Sequence, residues 1–315
     1  MAKRKRKPHK DQLSLFSNEN ITKSGIIQNI LNLNFAQARQ DIEHFKELFP
    51  TLQQASETFI CDYWIVYDSV QDEEQKIEQW YDFEKQFKAS SLRFAFFEQL
   101  KRNYFSHICR KIEENSPDRL YISHTPTGLL YILAGDFENA VKVLEQTIAQ
   151  SKHTAQLYGY LGDAYFLKGH KEWAGICYRE AFETEPEDVD LDFLQDSSVT
   201  DLIDYVRTEL EDDENYLTWV VSYGSVERIF PFKYFIKSSS LTPHVREFFS
   251  LKNRYEKNQK ADIKGKLFYQ SLLLSENQNL LSSIEEIDLT LVRSLMRELN
   301  PLLFSSYLSL KAIDE

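Results

Sequence analysis

Cysteine is scarce in this chain of 315 residues: Cys61, Cys109 and Cys177 are three, far apart and odd in number. That pattern argues against a disulfide framework and fits a reducing compartment, where each thiol serves as a small buried apolar group. Long apolar runs are missing too. No stretch of about 18 apolar residues is present to span a bilayer, and the cationic start, Met1 to Lys10, is followed by polar residues where a secretory signal would place an apolar core. The expected compartment is the cytoplasm, with no membrane contact. Glycine is confined: only Gly25 interrupts the first 127 residues. Alternating strand patterns are absent as well, which leaves helix as the main element.

Catalytic signatures are equally thin. The chain has no Gly-x-Gly-x-x-Gly, phosphate loop or Gly-x-Ser-x-Gly, its seven histidines are scattered, and His107-Ile108-Cys109 lacks a second pair to complete a metal site. The acidic clusters at 187–192 and 211–214 lack the apolar setting that would tune a carboxyl for acid–base work. No catalytic residue, cofactor or metal is expected.

What is there begins with charge. The formal net charge of −12 hides segregation, because Lys3, Arg4, Lys5, Arg6, Lys7 and Lys10 place six cations in the first ten residues, with no acid among them. The remaining 31 basic and 49 acidic residues leave the body at −18. A body this acidic repels phosphate, so weak nonspecific nucleic-acid binding is expected from the tail alone. The same run also reads as a nuclear-import signal in a eukaryotic chain, or as a solubilising tail.

Apolar spacing then organises the chain. Residues 1–19 read as a flexible basic tail. Ile26, Ile27, Ile30 and Leu31, then Ala38, Ile42, Phe45 and Phe49, recur at helical intervals and predict a hairpin of two helices. Tyr63 and Trp64 mark a third helix, Ile77, Trp80 and Phe87 a fourth, and Phe94 to Ile112 a long fifth. The last stretch predicts two helices parted at Pro301. Between them, Phe230, Phe232, Tyr234 and Phe235 lie in a segment rich in lysine and arginine, read as core aromatics with a solvated basic face or, alternatively, as a stacking platform for single-stranded nucleic acid.

Two stretches match each other at a spacing of 34 residues: Gly128, Tyr131, Gly135 and Ala140 precede Gly162, Tyr165, Gly169 and Ala174 by that step. In the second, Leu161 joins Gly162 and Tyr165, and Ala174, Tyr178, Ala181 and Pro186 follow. The unit is helix, tight turn, helix, with small residues that let two backbones approach and aromatics that fill the groove. Thr125-Pro126 reads as an N-cap followed by a first-turn proline, which shortens the first helix. Ala38, Ile42, Phe45 and Pro50 echo the second half of the unit. These residues resemble the tetratricopeptide repeat, over 121–187. The first copy departs from that pattern at His124, Thr127 and Lys152. The resemblance implies a stack of helix pairs that serves as an interaction scaffold without naming the partner.

A second resemblance lies in the tail. Gln12-Leu13-Ser14-Leu15-Phe16 looks like the pentapeptide by which bacterial polymerases and repair proteins dock on the DNA sliding clamp, a short extended motif with a glutamine amide and two apolar anchors. The plainer reading is that Leu13, Leu15 and Phe16 fasten the tail onto the first helices.

The expected fold is all-α, a tetratricopeptide-like α-solenoid or helical array, in four parts: tail 1–19, helical region 20–120, repeat pair 121–187 and helical region 188–315. The expected function is a non-enzymatic scaffold that binds protein through its helical surface and a sliding clamp through residues 12–16, in DNA replication or repair. A generic adaptor with a solubilising or nucleic-acid-binding tail is the alternative, and an α-helical enzyme a more distant one.

Overall fold

The computed structural model describes residues 18–66, 72–152, 154–211, 214–258, 261–281 and 287–314. Among the described residues the protein is all-α, with one two-residue strand pair and two single 3-10 turns. The chain divides into two compact units, Met1–Asp136 and Phe137–Glu315. The division falls inside residues 121–187, between the two helices of the first 34-residue copy.

The first unit starts with the expected hairpin, α1 (Asn18–Leu31) and α2 (Phe35–Leu48). Its link holds Leu33 at φ +62°, a left-handed turn that sends α2 back along α1. Asn29 Nδ2 donates to Asp41 Oδ2 at 2.8 Å across the pair. Next come α3 (Ala55–Val66), α4 (Glu73–Ala89) and α5 (Phe97–Asn115). Asp72 caps α4 by accepting from the Gln75 N–H at 3.1 Å. Their shared core is aromatic: the Tyr104 ring sits 4.7 Å from Trp64 and 5.0 Å from Trp80, with Phe83 and Phe105 fully buried beside them. Phe94, expected inside the fifth helix, lies buried just ahead of it. Thr125-Pro126 departs from expectation. Instead of capping and opening the next helix, these residues form β2, paired antiparallel with β1 (Tyr121–Ile122), and α6 (Thr127–Ala134) begins after them. The hairpin wins because Thr127 is already tied down, its Oγ1 donating to the Arg119 carbonyl at 2.7 Å. At eight residues α6 is short, as expected.

The second unit holds α7 (Phe137–Gln150), α8 (Ala155–Leu167), α9 (Lys171–Thr184), α10 (Ser197–Glu209), α11 (Leu217–Val226), α12 (Ser238–Asn258), α13 (Ala261–Glu276), the single turn α14 (Gln278–Leu281), α15 (Leu289–Leu299) and α16 (Pro301–Asp314). Residues 218–226 of α11 are all buried, because α9, α10, α13 and α16 surround it; a helix apolar on every side is stable only in such a position. Gly265 makes that possible, since a Cβ there would come within 2.7 Å of the Thr218 backbone. Pro301 stands at the first position of α16, the expected break after α15. Among the described residues no helix is long and apolar enough to cross a membrane.

Candidate interaction site

The 34-residue recurrence reappears as geometry. Gly135 and Gly169 take φ of +79° and +85°. In the first turn the Gly135 N–H reaches the Ile132 carbonyl and the Asp136 N–H the Tyr131 carbonyl, each at 2.9 Å; in the second Gly169 reaches Phe166 at 2.8 Å and His170 reaches Tyr165 at 2.9 Å. Both are Schellman turns, which only a residue free to adopt positive φ closes cheaply. The equivalent tyrosines also act alike, Tyr131 Oη donating to Glu113 at 3.0 Å and Tyr165 Oη to Glu145 at 2.8 Å.

Within the pair α8 and α9, a Cβ on Gly162 would lie 2.5 Å from the Tyr178 ring, so the absence of a side chain there makes room for the tyrosine. Leu161, Ala174, Tyr178 and Ala181 are buried, and so are Gly128, Tyr131 and Ala140 in the first copy. Pro186 ends the pair by opening a 3-10 turn. The glycines are not uniform in purpose: Gly162 serves close approach, Gly135 and Gly169 serve the turns, and a Cβ on Gly159 would make only ordinary contact with Val189 at 3.6 Å.

Asp163, next to Gly162, was not singled out by sequence reasoning. Its side chain is inside the pair, 1% exposed, with Oδ1 accepting from Tyr178 Oη at 2.7 Å and from the Gln195 N–H at 2.8 Å. Its Oδ2 is buried without a hydrogen-bond partner. Burial pushes this carboxyl up to about 7, helped by Asp190 and Asp196 and opposed by its two donors. The signal was a lone acid in the apolar run from Tyr158 to Leu167.

Outside this buried seam the same turn carries an exposed aromatic face. Trp173 is 57% exposed and stacks on Tyr165 with ring centres 6.1 Å apart, and His170 meets the Tyr165 ring edge-on at 6.4 Å. Beside it Lys168 Nζ pairs with Glu138 at 2.8 Å. Aromatic groups with a charged rim are the composition of protein-binding surfaces.

The basic, aromatic segment after α11 has a different use. Phe230 is core, stacked on Phe182 at 6.2 Å. Lys233 is no solvated charge: its Nζ lies 3.1 Å from Glu180 and 3.0 Å from Glu183, and Tyr269 Oη donates to the same Glu183 at 3.1 Å. Burial opposes ionisation of Glu180, yet Lys233 and Arg179 outweigh it and hold the carboxyl below its ordinary value. Asn277 clamps the backbone, donating to the Lys233 carbonyl at 2.9 Å and accepting from the Phe235 N–H at 2.8 Å. Lys233 is therefore committed to carboxylates instead of phosphate.

The tail residues Lys3, Arg4, Lys5, Arg6, Lys7, Lys10, Gln12, Leu13, Ser14, Leu15 and Phe16 lie outside the described residues. All three cysteines are buried, and burial pushes each thiol up to about 12, far from a reactive thiolate. Among the described residues no group of three or more His, Cys, Asp or Glu side chains is placed to hold a metal ion. The chain matches no family model, no curated protein and no solved structure.

Proposed function

We propose that this chain is a non-enzymatic interaction scaffold of the tetratricopeptide type, brought to the replication or repair machinery by Gln12 to Phe16 while its helical body holds a second protein. The observation that carries the scaffold reading is the repeated Tyr–Gly turn, in which Tyr131 with Gly135 and Tyr165 with Gly169 make the same backbone and side-chain bonds one 34-residue step apart. A surface for the second protein is available in Trp173, Tyr165 and His170, whose grouped rings offer contact area at low ordering cost. The clamp reading stands on the five tail residues and their place in the sequence beside a basic run.

A synthetic fragment spanning residues 8–20, titrated against a purified bacterial sliding clamp, tests it. Binding in roughly the micromolar range, about −8 kcal/mol, is the expected result for a short motif with two apolar anchors. Absence of binding at about 100 µM, well above that dissociation constant, leaves the generic adaptor.

A further inference from the structure

Between α9 and α10, in the second unit, residues 190–196 run as a strap along α8. Their sequence, Asp-Leu-Asp-Phe-Leu-Gln-Asp, holds three acids and no base, and none of these side chains is buried. A single 3-10 turn, Leu191–Phe193, is the strap's regular structure. It is fastened to α8 through Tyr160 and Asp163: Tyr160 Oη donates to Asp190 Oδ2 at 2.8 Å, the Tyr160 and Phe193 rings meet edge-on with centres 5.3 Å apart, and the Gln195 N–H donates to Asp163 Oδ1 at 2.8 Å. Both ends have anchors of their own. Val189, just ahead, is buried, and Asp196 caps α10 by accepting from the Ser198 N–H at 2.9 Å. The middle of the strap can therefore part from α8 while its ends stay in place.

Asp163 lies under this strap without a counter-ion. The groups that face its carboxyl are the Tyr178 hydroxyl from α9, the Gln195 N–H, and the like charges of Asp190 and Asp196 from the strap. Among the described residues no lysine, arginine or histidine forms an ion pair with any of these three aspartates. Protonated, the carboxyl is neutral and the strap closes over it without repulsion. Ionised, it is a charge held out of water beneath two others of the same sign. Both donors strengthen towards a carboxylate, but both meet Oδ1, and Oδ2 stays dry. The Tyr178 ring is fully buried and cannot step aside, whereas the strap has no buried side chain to lose, so lifting it is the smallest change that hydrates the charge. We propose that the strap is a lid latched by the proton on Asp163, closed over α8 while the carboxyl is protonated and lifted when it ionises. Burial sets the changeover near neutrality, since it pushes the carboxyl up to about 7; closure is complete at lower pH and is lost as pH rises through that value. Lifting uncovers Tyr160 and Asp163 on α8 and frees Phe193. The device lies wholly within the second unit and does not depend on the scaffold or clamp readings.

The test is amide exchange in the full chain, followed by NMR at Gln195 between about pH 6 and pH 8 and corrected for the intrinsic rise of exchange with pH. Protection at Gln195 should fall about tenfold across that range, because release of one proton shifts the closed state by up to about tenfold per pH unit above the changeover, while protection in the middle of α8 and α9 holds constant. In Asp163→Asn, which keeps an acceptor for the Gln195 N–H and cannot ionise, protection should be the same at both ends of the range. Constant protection in the wild type, an equal fall in the variant, or a fall shared by α8 and α9 overturns the proposal. Infrared difference spectra of the wild type give a second readout that needs no variant. The carbonyl band of a buried protonated carboxyl should vanish over the same range with the midpoint seen in exchange; a band that persists at about pH 8, or a different midpoint, overturns the proposal too.

Discussion

Gly162 and Tyr178 compete for one volume: a Cβ on residue 162 would lie 2.5 Å from the nearest ring carbon of Tyr178. The tyrosine cannot retreat, because its ring is fully buried and its hydroxyl is held by Asp163 at 2.7 Å. Gly162→Ala should therefore destabilise the protein by about 1–3 kcal/mol, the cost of overpacking a filled core. Gly159→Ala, one turn away on α8, meets only Val189 at an ordinary 3.6 Å and should gain up to about 1 kcal/mol from helix propensity. Denaturant unfolding of the two variants should give opposite signs. The same sign for both would mean that α8 and α9 do not meet as described.

Asp163 predicts a pH dependence. Its folded-state pKa is raised to about 7, chiefly by burial, so the folded protein binds a proton that the unfolded chain, with an ordinary aspartate, releases near pH 4. The contribution to stability is thus fully present below about pH 4 and is lost as pH rises towards about 7. Asp163→Asn keeps an acceptor for Tyr178 and Gln195 but cannot ionise. Melting curves at pH 5 and pH 8 should show the wild type losing stability relative to this variant, by an amount on the order of 3 kcal/mol. A constant difference between the two chains across that range would show that Asp163 is not the group.

Lys233 neutralises two partly buried glutamates at 3.1 and 3.0 Å. Lys233→Met should cost about 3 kcal/mol, because removing one partner of a buried pair strands the other charge. Adding Glu183→Gln to the same chain should recover part of the loss, giving a double variant less destabilised than the sum of the singles. Strict additivity would place the lysine in solvent.

Nucleic-acid affinity should follow the tail. Deleting residues 1–10 removes six cations and should abolish salt-sensitive duplex binding, lowering the slope of log affinity against log salt by up to about 5. Lys233→Met should leave that slope unchanged, since its charge is already taken by Glu180 and Glu183. Binding that outlasts the deletion would move the interface to the folded body.

Much of the local structure could be read from spacing. The hairpin α1–α2, the aromatic helices α3 to α5 and the break at Pro301 follow from apolar periodicity and from proline's lack of an N–H, which are properties of neighbouring residues. Thr125-Pro126 departs from the capping pattern because the same two residues also suit the second strand of a short hairpin, where they pair with Ile122 and Tyr121, and the helix starts only at Thr127, held by the Arg119 carbonyl eight residues upstream. The basic segment at 227–266 was half legible: Phe230 declared itself as core, but nothing adjacent to Lys233 in the chain announces Glu180 and Glu183, some fifty residues away.

By itself the sequence determined an all-α chain, a 34-residue recurrence with glycine at both tight turns, and the split between a cationic tail and an acidic body. Each of these is local chemistry: helical period, backbone freedom at a single residue, and the sum of charges. Only the tertiary structure decided which glycine makes room for a ring and which closes a turn, that Asp163 is shut in beside Tyr178, and that Lys233 faces carboxylates. Those outcomes depend on what lies across the helix–helix contact, and burial, which sets the cost of every unpaired polar atom, belongs to the packed fold and to no residue alone.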